Sequence, residues 1–219
     1  MGAHAVADHH EIVYPNDPLY SRITAGKLGM WLFLLSDGFS FGGLLLAYGI
    51  LRGSSDYWGC VSPEVVAQYG CTPEPMLGIN FTAVLTFVLI CSSVSMVMAH
   101  AAAVDGDRQG TIKWLVATIA GGCLFLCGQY QEYWGIVSHG LLHEGLVFGA
   151  THYATTFFMI TGFHGLHVTT GVIYLTAVLV GTIMNKTDAN TIEVVGLFWH
   201  FVDLVWILVF TFIYLIPYG

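Results

Sequence analysis

Five apolar runs, at about 28–51, 76–104, 112–134, 153–183 and 193–216, govern what this chain can fold into. Each reaches the length of roughly 20 residues that a helix needs to cross a hydrocarbon core. No water is present there to pair with exposed amides, so a spanning run of this kind satisfies its backbone internally, as a helix. Composition agrees. The 219 residues are 56% hydrophobic and only 9% charged, against about 25% charged in a soluble domain. The expected fold class is therefore all-α, a polytopic transmembrane bundle of five helices.

No linker divides the apolar region, so residues 26–219 read as one membrane domain behind a polar tail at 1–25. Pro15 and Pro18 oppose an early helix in that tail. No basic segment followed by a small-residue cleavage site precedes the first run, so a removable signal peptide is not expected. Orientation follows from the basic residues. Arg22, Lys27, Arg108, Lys113 and Lys186 fall on one side of a five-span topology and Arg52 on the other. Positive charge accumulates inside, which puts the amino terminus in the cytoplasm and the carboxyl terminus in the periplasm. The net charge of −8, with no basic cluster, excludes a nucleic-acid partner.

Cys60 and Cys71 share the outer connector, where an oxidising compartment would let a disulfide persist; sequence leaves their pairing open. Cys91, Cys123 and Cys127 lie within spans and read as small buried hydrophobes. Gly38 with Gly42, and Gly162 with Gly165, are candidates for close helix approach.

Ionisable side chains inside a span mark function or internal pairing by default. They are Asp37 in the first span, Glu132 in the third, His164 and His167 in the fourth, and His200 and Asp203 in the fifth. Glu193, Gly196, His200 and Asp203 recur at helical spacing and share a face, with Trp199, Val202 and Trp206 on the adjacent apolar face. Three readings stand. Imidazoles can hold a metal or haem, with His164 and His200 as an axial pair, but the repeated glutamates of a di-metal bundle are missing. Acids and histidines at mid-depth can relay protons, but no continuous file joins the two surfaces. The third reading is interhelical hydrogen bonding, contributing about 0.6 kcal/mol per contact, and the residues alone favour it.

Several ordered motifs narrow the choice. "GFHGLHV" at 162–168 and "WHFVDLVW" at 199–206 resemble subunit III of the haem-copper terminal oxidases, the cytochrome c oxidase family. "AHAAAVDGDR", through Ala99, His100, Gly106, Asp107 and Arg108, is similar to that family's helix-end motif. "QYQEY" at 129–133, "YATTFF" at 153–158 and Glu193 match further family positions, and the resemblance covers about 26–216. Two features depart from the long family form. The chain has five spans where long members have seven, and Asp37 stands where the family commonly carries a carbodiimide-reactive glutamate.

The resemblance implies an accessory subunit of a respiratory oxidase that reduces O₂ to water and pumps protons, in a bacterial plasma membrane. It implies no haem, copper or other metal on this chain, with those centres on the partner subunits I (catalytic) and II. Membrane lipids are further partners, a bound phospholipid is compatible with the family, and cytochrome c or quinol would be the complex's electron donor. Asp37, Glu132, His164, His167, His200 and Asp203 would form a buried polar network supporting proton uptake, with no catalytic residue here. Trp199, Trp206 and Arg108 are expected to contact lipid or another subunit. Alternatives are the same kind of subunit in a quinol oxidase or nitric-oxide-reductase complex, a small membrane haem carrier, or an autonomous transporter.

Overall fold

A computed structural model describes residues 24–55, 58, 78–134, 148–149 and 151–216. It contains α1 (Ala25–Gly53), α2 (Ile79–Val104), α3 (Arg108–Trp134), α4 (His152–Ile183) and α5 (Ala189–Val209), the last continued by a π-helical turn at Phe210–Leu215. All five are long and apolar enough to cross a membrane. They match the five expected spans to within a few residues. The proposed disulfide partners Cys60 and Cys71, and the polar tail up to residue 23, lie outside the described residues.

The helix ends follow from local chemistry. Thr24, Thr151 and Asp188 precede α1, α4 and α5, and each side chain accepts a hydrogen bond from a first-turn amide that has no partner within the helix. Asp188 also accepts from the Thr191 hydroxyl, and these bonds hold its carboxyl below the usual carboxylate range. At the end of α2, Gly106 adopts φ +75° and Asp107 N donates to the Ala102 carbonyl at 2.9 Å, closing the helix in a Schellman motif. The Asp107 side chain then accepts from Gly110 N at 3.0 Å and caps α3. One short "DGDR" segment thus both stops a helix and starts the next. Asn185, at φ 58°, closes α4 in the same way.

In the bundle, α2 packs most extensively on α3, α3 continues onto α4, and α5 is held by α2, α4 and α1. Half of the most apolar stretch of α5 is buried against 17% for α1, so α5 is the central helix and α1 the outlying one. Trp199 and Trp206 lie 1% and 0% exposed. This corrects the expectation that they face lipid or a partner. Both indoles turn inward because α2 presents hydroxyls: Trp199 Nε1 donates to Ser92 Oγ at 3.1 Å and Trp206 Nε1 to Thr86 Oγ1 at 2.9 Å.

Close helix approach occurs at other glycines than the expected ones. Around Gly42, Gly162 and Gly165 the space a Cβ would enter is open, and at Gly38 only Phe201 comes near, at 3.8 Å. The tight sites are on α3 and α4, where Gly122 and Gly171 receive the Trp199 ring. Cys91, Cys123 and Cys127 are free thiols on the outer surface, not core residues. Their positions on α2 and α3 point away from the indole seam.

A Cβ on Gly122 would stand 2.6 Å from the Trp199 ring and 2.8 Å from Val172. Gly122→Ala should therefore destabilise the bundle by about 1–3 kcal/mol, whereas Gly42→Ala should change it by less than about 0.5 kcal/mol. Thermal unfolding of the two variants in detergent measures the difference.

Candidate functional site

The helices place the buried polar side chains in three separate clusters. One helical turn of α4 presents His167 towards α1 and His164 towards α3 and α5. His167 Nε2 lies 3.2 Å from Asp37 Oδ1, and its Nδ1 lies 2.8 Å from the Phe163 carbonyl oxygen. Phe41 and Phe163 cover the imidazole, with ring centroids at 5.2 and 4.6 Å. His164 is completely buried, and neither ring nitrogen has a hydrogen-bond partner. Its neighbours are aromatic: Trp206 at 4.8 Å and Phe125 at 5.7 Å, the latter edge-on.

Between α2 and α5, His200 Nδ1 lies 3.2 Å from Ser93 Oγ, and Asp203 is engaged by the same hydroxyl. Ser93 therefore stands between an imidazole and a carboxylate that share one face of α5. At the end of the bundle where α3 finishes, Glu132 accepts from the Thr82 hydroxyl at 2.9 Å and the Tyr214 hydroxyl at 3.2 Å. Tyr214 sits in the π-helical turn, whose wider winding re-aims side chains relative to a continuous α-helix. Beside it, the Tyr133 hydroxyl donates to Thr161 Oγ1 at 2.5 Å.

The opposite end is closed by ions. Lys27 Nζ lies 2.6 Å from Glu193, and His100 approaches the same carboxylate at 3.9 Å, so α1, α2 and α5 meet at one acid. Arg108 does not simply extend outward. Its guanidinium donates to the carbonyls of Thr182, at 3.0 Å, and Ile183. Those carbonyls stand at the C-terminus of α4, where the helix dipole favours a cation.

Of the six expected network residues, the structure pairs Asp37 with His167 and brings His200 and Asp203 to one hydroxyl, that of Ser93. Glu132 belongs to its own cluster of hydroxyls, and His164 sits in an aromatic cage. His164 meets α5 at Trp206, more than a turn beyond His200, so the two do not form an axial pair. Among the described residues, no three His, Cys, Asp or Glu side chains gather closely enough to hold a metal ion. Sequence reasoning missed Thr82, Thr86, Ser92, Ser93 and Tyr214. The first four carried a signal: hydroxyls recurring along an otherwise apolar helix, mostly on one face.

The chain is similar to known proteins over most of its length. The sequence model of the family described as cytochrome c oxidase subunit III matches residues 20–218. The chain is 37% identical over 195 residues to a probable cytochrome c oxidase subunit 3 of Mycobacterium tuberculosis (strain H37Rv), covering 87% of each chain. It is 33% identical over 193 residues to the cytochrome bo(3) ubiquinol oxidase subunit 3 of Pseudomonas putida, covering 86% of this chain and 84% of that one. The cytochrome c oxidase subunit 3 of Synechocystis is 36% identical over 192 residues, covering 86% and 74%.

With no polar partner to lose, His164 should tolerate an apolar replacement of similar volume. His164→Leu is expected to cost less than about 1.5 kcal/mol, and His164→Ala, which leaves a cavity, about 2–4 kcal/mol. Denaturation midpoints of the two variants measure both.

Proposed function

The chain belongs to the cytochrome c oxidase subunit III family, and from that premise we propose that it serves its oxidase without a redox centre of its own. Membership makes it a multi-pass membrane subunit, an accessory component of a haem-copper oxidase that works in a complex with other oxidase subunits. The finer reading is that it packs against the catalytic subunit I and near subunit II, in a bacterial plasma membrane. Its amino terminus would be cytoplasmic, as the distribution of Arg22, Lys27, Arg108, Lys113 and Lys186 favours.

The observation carrying this reading is the Asp37–His167 contact. It places a carboxylate and an imidazole, 9% and 12% exposed, deep in an outlying helix interface at the family's carboxylate position. Such a pair is costly in hydrocarbon unless it is used or structurally required. We assign it to the support of proton uptake by the catalytic subunit. Haem and copper would reside on the partner subunits, and bound phospholipid would fill the exposed apolar surface of α1.

The donor is read as cytochrome c. The likeness to a ubiquinol oxidase subunit of Pseudomonas putida supports quinol as the second reading. An accessory chain carries no donor site in either case, so the choice falls to its partners. Mild extraction followed by mass spectrometry of the co-purifying chains tests the assignment. Subunits I and II should travel with this chain; a coloured, haem-bearing preparation of the chain alone would overturn the centre-free reading.

Asp37→Ala should leave the visible spectrum of the oxidase intact while shortening its catalytic lifetime or slowing proton uptake at higher pH. Turnover followed to inactivation across a pH series measures this, and unchanged kinetics would remove Asp37 from the functional reading.

A further inference from the structure

Both ring nitrogens of His167 are engaged, and the two contacts together restrict where its hydrogens can be. Nδ1 lies 2.8 Å from the Phe163 carbonyl oxygen. A carbonyl only accepts, so Nδ1 carries a hydrogen and the tautomer is set. Nε2 then faces Asp37 Oδ1 at 3.2 Å, with both side chains largely shut off from the surroundings. A bare Nε2 against an ionised carboxylate would oppose two lone pairs at hydrogen-bond distance. A proton between them removes that repulsion.

We infer that Asp37 and His167 form a binding site for a single proton, held between Asp37 Oδ1 and His167 Nε2 while the Nδ1 hydrogen stays on the Phe163 carbonyl. The proton can rest on nitrogen, giving imidazolium and carboxylate, or on oxygen, giving imidazole and carboxylic acid. Transfer between the two atoms moves one proton and leaves the pair neutral in both forms. Adding a second proton gives a net positive charge, and removing the first gives a net negative one. Either leaves an uncompensated charge in a medium that solvates it poorly. Single occupancy is therefore favoured on both sides.

The surroundings reinforce this. From α1, Phe41 covers the ring; from α4, Phe163 covers it and His164 is the nearest further titratable group. A net positive charge on the pair would lie beside His164, whose ring nitrogens have no hydrogen-bond partner. On α5, His200 and Asp203 are both engaged by Ser93. The remaining Asp37 oxygen, Oδ2, has no hydrogen-bond partner, so the pair's proton has Oδ1 and Nε2 as its two seats.

The use of this proton in uptake rests on the oxidase reading above; its presence does not. The test is nitrogen magnetic resonance of ¹⁵N-histidine in the intact complex in lipid, with His167 assigned by its loss in His167→Gln. The expected result is a hydrogen on Nδ1 throughout, and no titration of the ring across about pH 5–8, where a free imidazole changes charge. Asp37→Asn keeps a donor towards Nε2, so the ring should be neutral with an unprotonated Nε2 and Nδ1 unchanged. A neutral ring with its hydrogen on Nε2, or an ordinary titration within that range, would overturn the site. Proton uptake measured on the same samples separates the two ideas. A locked ring with Asp37→Asn uptake equal to the parent keeps the site and removes its role; a titrating ring removes the site whatever the uptake.

Discussion

Water's absence from the hydrocarbon interior is the constraint on which this fold depends. A polar group on a spanning helix is costly unless paired within the protein, and the α2–α5 seam carries three such pairings. Trp199 on Ser92, His200 on Ser93 and Trp206 on Thr86 place three α5 side chains on hydroxyls of α2. Each hydroxyl also bonds a carbonyl of its own helix or serves a second group, as Thr86 does with Thr82 and Ser92 with Leu89. Interhelical bonds of this kind contribute only about 0.6 kcal/mol each, so their larger effect is on register. An indole that must find one hydroxyl sets both the rotation and the depth of α5.

Everything else is arranged around that central helix. Gly122 and Gly171 admit the Trp199 ring, and Trp206 in turn encloses His164 with Phe125. The π-helical turn lets the end of α5 bring Tyr214 to Glu132. At the other end, Glu193 draws in Lys27 and His100, which ties the outlying α1 to the bundle. Along its length α1 has few buried side chains, among them Leu34, Asp37, Phe41 and Tyr48. Among the described residues its mid-depth polar link is to His167, so the contact that most resembles a functional site lies at the least enclosed interface.

The spans and the family were legible in the sequence because each depends on neighbours along the chain; the capping residues depend on the same neighbours but were not among the expectations. Thr24, Asp107, Thr151 and Asp188 cap because they stand one residue before a helix, and "DGDR" turns because Gly106 tolerates a left-handed backbone. The polar residues were also legible as a set, since charge within an apolar run is conspicuous. Their grouping was not. Asp37 could have met Asp203, at comparable depth, but instead meets His167, because α1 lies in the groove of α4 and α5 at a rotation that no single helix specifies.

Trp199 and Trp206 make the same point from the apolar side. Their spacing placed them together on a face of α5, and the sequence alone determined that much, along with five helices, their approximate ends and the sidedness of the basic residues. Whether that face looked at lipid or at α2 was decided only by the tertiary structure. Periodicity along one helix defines which residues share a face, and it holds no information on what stands opposite. In a bilayer the outside is as apolar as the inside, so the hydrophobic pattern that orients a helix in water is absent here. The direction is set instead by the few hydroxyls, glycines and carboxylates that find one another across helices.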